Sequence, residues 1–245
     1  MTLRTIARRA KRYVKRLAGR QQPAGAAVVV PKTTVDREKW ASVAQEGEFR
    51  FHKNDTWRQT ASFMAQTDRL LRHFGFTPEQ YAGRTVVDVG AGSMLRTKFF
   101  TGAHLVVVEP LADRFIKEIP TTDLRDAAEV YSRPAEQLID ELVGRADLVI
   151  SINVLDHCFD FPQIVDNIRQ YLKPDGLAFL TFDMHDKADD MHPLSLTEET
   201  CKPIFTKAKL SIEKVTTGVG DALDGSQTYG HGPFTLNYWL RRADV

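Results

Sequence analysis

The chain's 245 residues, 42% apolar and 27% charged, suffice for one α/β domain with a sizeable core and an appendage. Its formal charge of +1 hides an uneven split, since residues 1–20 hold eight Lys or Arg and no acid and leave 25 basic against 32 acidic residues beyond them. That acidic body disfavours a nucleic-acid partner; no run approaches the ~18–20 apolar residues of a membrane span, and the distant Cys158 and Cys201 fit a reducing cytoplasm better than a disulfide framework or zinc cluster.

In the basic arm, Ile6, Ala10, Tyr13, Val14 and Leu17 recur at helical spacing. A short amphipathic helix of this kind suits peripheral contact with an anionic membrane, at ~1 kcal/mol per basic residue near the surface. The same residues also describe a solvated tail or a helix packed on a partner. No apolar core follows the charges, so a secretory signal is not expected. An Arg-rich, acid-free arm has the charge of a transit peptide but few of its serines. The location expected is therefore the cytoplasm, with the arm at the inner face of the membrane.

Residues 21–35, which include "QQPAGAAVVVPK", read as a linker broken by Gly and Pro. Residues 36–46 read as weakly helical. A stronger helix is expected in "NDTWRQTASFMAQTDRLLRHFGF", with Asn54 or Asp55 as its cap, an apolar face of Trp57, Ala61, Met64, Leu70 and Leu71, and Gly75 as its end. Residues 36–83 thus form a helical segment, which in the role of a lid would bring His52 to a pocket.

From residue 84 to 245 the pattern changes. "TVVDV", "HLVVVEP", "AEVYS", "ADLVISIN" and "GLAFLTFD" are short apolar runs, and helix-length segments at 111–119, 134–143 and 160–172 separate several of them. Such alternation implies an α/β fold, a mostly parallel sheet with helices on both faces. "LSIEKVTTGV" and "PFTLNYWLRR" close the chain as an antiparallel pair.

Ligands of such sheets sit beyond the carboxyl ends of the strands. There the first strand runs into Gly90-Ala91-Gly92-Ser93, and the second ends at Glu109, placed for the two hydroxyls of a ribose. That geometry serves a dinucleotide or an adenosyl sulfonium compound. A dinucleotide turn needs a third glycine at the position of Leu95, and the acid Asp88 would repel a pyrophosphate.

The segment "VVDVGAGS", then Glu109, "SINVLDH" and "YLKPDG", resembles in order and spacing the motifs of class I S-adenosylmethionine-dependent methyltransferases of the small-molecule type. The resemblance covers residues 84–182 and more weakly the last strand pair. It implies a Rossmann-like sheet of seven strands with the last pair antiparallel, and S-adenosylmethionine as cofactor. It further implies that Asp88 and the turn Gly90, Ala91, Gly92 and Ser93 hold the methionine moiety, and Glu109 the ribose. Pro110, Leu111 and the turn from Ser132 through Ala135 to Glu136 would flank the adenine, and Asn153 and Val154 would face the sulfonium. Two positions depart from the pattern: Met94 stands where a third glycine is common, and Pro134 lies where an acid is common.

A hydroxyl acceptor needs a base. Asp156 and His157 follow the fourth motif, and His185 and His192 follow the fifth strand in "TFDMHDKADDMHP", all at the carboxyl edge. His157 and His192 are the leading candidates for the base, with Asp156 beside them. The loop of Asp183, His185, Asp186, Asp189, Asp190 and His192 has the composition of a divalent-ion loop without its spacing. It reads as a solvated acidic loop, and no metal is expected. The function expected is O-methylation of a small molecule or a lipid-linked glycan. The alternatives are a nicotinamide-dependent oxidoreductase on a related fold, and a non-catalytic binding module tethered by the arm. Oligomeric state leaves no trace in the sequence.

Overall fold

The strands are for the most part runs rich in Val, Ile, Leu and Phe, since a covered sheet rewards apolar side chains on both faces. They are β1 Thr85–Val89, β2 His104–Val108, β3 Glu129–Tyr131, β4 Ala146–Ile152, β5 Leu172–Asp183, β6 Leu210–Thr217 and β7 Thr235–Arg242. The structure, a computed structural model, describes residues 36–184, 188–218 and 235–243. The seven strands form one sheet in the order β3-β2-β1-β4-β5-β7-β6. All neighbours are parallel except β7, which runs antiparallel to both β5 and β6. The seven-stranded sheet and its antiparallel pair are as expected from the sequence.

Along β1, Val86 joins the core on one face of the sheet, while Val87 and Val89 join the core on the other. The first face is covered by α1 Gln45–Asn54, α2 Ala61–His73 and α3 Ala112–Glu118, through Phe49, Leu70, Leu71 and Phe115. The second is covered by α4 Phe161–Tyr171 and α5 Glu198–Lys207, through Ile164, Ile168, Ile204 and Phe205. Phe179 and Phe182 on β5 are fully buried on opposite faces; each contributes ~1.5–3 kcal/mol by leaving water.

Helices α3 and α4 lie within their expected spans. The helix expected at 134–143 does not form: turns and a short 3₁₀ segment, Asp140–Leu142, occupy it. Side chains of α4 supply the partners that helical bonding would have supplied. Asn167 donates to the Ala135 carbonyl at 2.8 Å, and the Tyr171 hydroxyl accepts from the Ile139 amide at 3.1 Å. Length alone suggested a helix there; Ile139 and Leu142, three residues apart, are fully buried without one.

A second correction concerns α2. Its cap is Thr60, whose hydroxyl accepts from the Phe63 amide, and neither Asn54 nor Asp55. Asn54 ends α1, and Asp55 instead organises the turn between the helices by accepting from the Trp57 and Arg58 amides. Trp57 and Ala61 are exposed, and the buried face is Phe63, Gln66, Thr67, Leu70 and Leu71. Gly75, with φ of 91°, follows the end of the helix as expected. Helix α5, opened by a capping box of Thr197 and Thr200, had no counterpart in the sequence reading, because Pro203 inside it reads as a breaker.

The weakly helical residues 36–46 extend into α1 through Arg37–Lys39 and a π-helical turn, Trp40–Ala44. That turn carries Trp40 to the β4 edge, where its indole donates to the His157 carbonyl at 2.7 Å and packs edge-on against Phe159 at 5.0 Å. Lys39 pairs with Asp190 at 2.6 Å. On the far side, Arg114 of α3 bonds Glu46 at 2.6 Å and stacks over Phe49. Helix α1 is thereby tied to both halves of the sheet's carboxyl edge. Among the described residues no helix is long and apolar enough to cross a membrane. The arm at 1–20, the linker through residue 35 and His185 lie outside the described residues.

Candidate active site

Strand order reverses between β1 and β4, and a cavity of about 430 Å³ opens there at the carboxyl ends, roofed in part by α1. Parallel register sets Val89 beside Val108, so the residues that follow, Gly90 and Glu109, arrive at one level. Gly90 and Gly92 both hold left-handed backbone, with φ of 75° and 65°. A Cβ on Gly90 would stand 2.2 Å from Val154, and one on Gly92 2.6 Å from the His52 ring. The glycines therefore admit the protein's own side chains as well as a ligand.

Glu109 ties the two strand tips together. One carboxylate oxygen accepts from the Gly92 amide at 3.0 Å, and the other from the Leu111 amide at 2.9 Å. Each oxygen keeps a second lone pair, and the group lines the cavity. Burial pushes its pKa up to about 7, against the pull of the two amides, and the charges of Glu48 and Asp88 raise it further.

Asp88 and Ser93 do not reach the wall. Asp88, pushed up to about 6 by burial, accepts from the Thr97 hydroxyl at 3.0 Å beneath the turn. Ser93 is fully buried, and its amide and hydroxyl both meet Nδ1 of His52, at 3.3 and 2.9 Å. Burial, then repulsion by Arg58, lowers the His52 pKa to about 3, so this imidazole is neutral. Its Nδ1 accepts from the Ser93 amide, which leaves the proton on Nε2, 3.7 Å from Glu48.

The remaining residues implied by the family motifs converge. Gly90, Ala91, Gly92, Glu109, Pro110, Ala135, Asn153 and Val154 all line the cavity. Asn153 takes left-handed backbone, φ 58°, uncommon outside glycine, and its buried side-chain oxygen has no hydrogen-bond partner among the described residues.

Asp156, His157 and His192 line the same cavity. Asp156 is 1% exposed and lies 3.7 Å from Nε2 of His157. Glu48 approaches Nδ1 of the same ring at 3.2 Å. Burial alone would depress the His157 pKa, but Asp156, Glu48 and Asp183 outweigh it and raise it to about 9. The His192 ring sits 4.5 Å from that of His157, centre to centre, and its Nδ1 is 3.2 Å from Asp189. Glu48 and Trp40 were not singled out in the sequence. The i,i+4 spacing of Glu48 and His52 was the available signal, since it sets both on one face of α1. The acidic loop is in part structural, with Asp190 holding Lys39 and Asp189 capping the turn through the Met191 and His192 amides.

A family model described as a methyltransferase domain matches residues 4–210. The chain belongs to this methyltransferase family. It is 25% identical over 164 residues to the ubiquinone biosynthesis O-methyltransferase of Chelativorans sp. (strain BNC1), covering 61% of this chain and 63% of that one. To an uncharacterized methyltransferase of Mycobacterium sp. (strain KMS) it is 28% identical over 156 residues, covering 58% and 56%. These matches span less than two thirds of the relatives' length. Among solved structures, the 1,6-didemethyltoxoflavin-N1-methyltransferase of Burkholderia thailandensis, with its substrate and S-adenosylhomocysteine bound, is similar with a TM-score of 0.56 at 17% identity, covering 92% of this chain and 99% of that chain. A SAM-dependent methyltransferase from Leishmania major gives 0.57 at 12%, covering 90% and 100%. At these identities the likeness is one of fold. The methyltransferase fold and family are those the motifs implied.

Proposed function

We propose that this methyltransferase transfers the methyl group of S-adenosylmethionine to a hydroxyl oxygen of a small molecule or a lipid-linked glycan. The observation that carries the reading is one cavity lined by both Glu109 at the glycine turn and the Asp156–His157–His192 cluster. When bound, the cofactor supplies an electrophilic methyl on a sulfonium. Glu109 accepts from the ribose hydroxyls, Gly90 to Gly92 give the backbone room beside the methionine moiety, Pro110 and Ala135 flank the adenine, and Asn153 and Val154 face the sulfonium. Asp88 and Ser93 hold this wall from behind. In the same cavity the Asp156–His157–His192 cluster orients the acceptor oxygen: His157, held protonated at neutral pH by Asp156 and Glu48, donates to it, and His192 takes up its proton, while residues 36–83 cover the reaction as a lid over the domain at 84–245.

Relatives named as ubiquinone biosynthesis O-methyltransferases support an oxygen acceptor. Membership of a methyltransferase family and the missing third glycine speak against the nicotinamide alternative. In this reading residues 1–20 tether the enzyme, through linker 21–35, to anionic lipid at the cytoplasmic face. The deciding experiment incubates the full chain with methyl-labelled S-adenosylmethionine and a cell extract fractionated by polarity. Label is expected in a glycan, lipid or small-metabolite fraction as an alkali-stable ether. Cofactor binding without turnover on any fraction would leave a non-catalytic module instead.

A further inference from the structure

Asp156, His157 and His192 each offer a ligand atom, and the three atoms lie within 4.8 Å of one another. Two imidazoles and one carboxylate on one side of a common point are a donor set for a borderline divalent cation. Each ring also has its other nitrogen on a carboxylate: Glu48 stands 3.2 Å from Nδ1 of His157, and Asp189 3.2 Å from Nδ1 of His192. The Asp189 contact is a hydrogen bond that orients the His192 ring, the Glu48 contact is an ion-pair approach to His157, and both leave Nε2 as the nitrogen to offer. Asp183 adds a third acid that bears on His157 beside Glu48 and Asp156. The cluster also fronts a cavity large enough for a second ligand, so a cation there would keep open positions.

We propose that Asp156, His157 and His192 form a binding site for a divalent cation of the zinc class beside the place of the methyl acceptor. The inference rests on the methyltransferase reading and deepens it. A ligand set at ~2.1 Å from a tetrahedral cation would have its atoms ~3.4 Å apart, so a cluster whose atoms lie within 4.8 Å of one another must contract by up to ~1.4 Å. His192 belongs to a half-buried loop and can make that movement. With the cation seated, an acceptor hydroxyl at an open position is acidified, and its proton leaves to solvent instead of passing to His192. The oxygen's electron pair then forms the new bond to the methyl carbon as the carbon–sulfur bond breaks. Its electrons remain on sulfur, which becomes a neutral thioether. No oxidant or reductant takes part.

The test uses the full chain stripped with a chelator and titrated with Zn²⁺ alone by calorimetry, and with Co²⁺ as a visible-absorption probe, without cofactor or acceptor. One saturable equivalent is expected, with Co²⁺ bands in the visible. His192→Ala should weaken Zn²⁺ at least tenfold, and Glu48→Gln ~10–100-fold by releasing the His157 ring. His104→Ala, at a surface histidine paired with Glu129, should change nothing. Absence of a saturable equivalent, or unchanged affinity in His192→Ala, overturns the site. Because the cofactor's affinity for Glu109 is measured separately, loss of the metal reading leaves the methyltransferase reading standing, and loss of cofactor binding leaves the Zn²⁺ titration intact.

Discussion

The two ends of the cavity are built in different ways. The end proposed to hold the methyl donor comes from two neighbouring strand tips, β1 into Gly90–Gly92 and β2 into Glu109, held in register by the sheet's own hydrogen bonds. The end proposed to hold the acceptor is assembled from three segments distant in sequence: Glu48 from α1, Asp156 and His157 after β4, and His192 from the loop after β5. An end made of backbone is rigid and generic, whereas an end made of side chains on loops and a roofing helix can change its ligand while the fold stays the same.

The largest expected effect tests whether the ends are separable. His157→Ala should lower kcat by ~10²–10⁴-fold while leaving the dissociation constant for S-adenosylmethionine within twofold by calorimetry. A comparable loss of cofactor affinity would show that the two ends act as one and end the distinction.

The same difference governs what the sequence revealed. The sheet was legible because apolar runs of strand length alternate with turn residues, and strand-end motifs such as "VVDVGAGS" place their residues by local geometry alone. The acceptor end was legible only in part. His157 and His192 could be proposed from their positions at strand ends, but Glu48 was hidden, because only tertiary packing brings α1 to His157. The failed helix at 134–143 has the same origin, since Asn167 and Tyr171 of α4 bind its backbone from outside the segment. Asp88 shows the reverse. Its motif position implied a contact with the cofactor, yet its carboxylate accepts from Thr97 and is not part of the cavity lining.

A second, smaller effect probes the rigidity of the donor end. Gly90→Ala puts a Cβ 2.2 Å from Val154 on a backbone with φ of 75°. Strain and overpacking together should cost ~2–4 kcal/mol in urea unfolding. Adding Val154→Ala should return the overpacking part and leave the φ strain of ~1–2 kcal/mol. Full recovery in the double variant would mean that this turn is as adaptable as the loops opposite.

The smallest effect is graded with pH and separates the two uses of Glu109. Its pKa in the fold is about 7, against an ordinary value of 4.5, because burial disfavours the charge. A raised pKa means that the folded state holds a proton the unfolded chain has lost, so this group's contribution to stability is fully present below pH 4.5 and is lost as pH rises through 7. Ribose hydroxyls need the ionised carboxylate as acceptor, so affinity for S-adenosylmethionine runs the other way. It should fall by up to tenfold per pH unit below about 7 and level off above it. Glu109→Ala should weaken binding by ~1–3 kcal/mol and abolish both slopes, while His157→Ala should leave them in place. Were affinity flat between pH 5 and 8, the carboxylate would not be the group that meets the ribose, and the donor end would have to be assigned elsewhere on the wall.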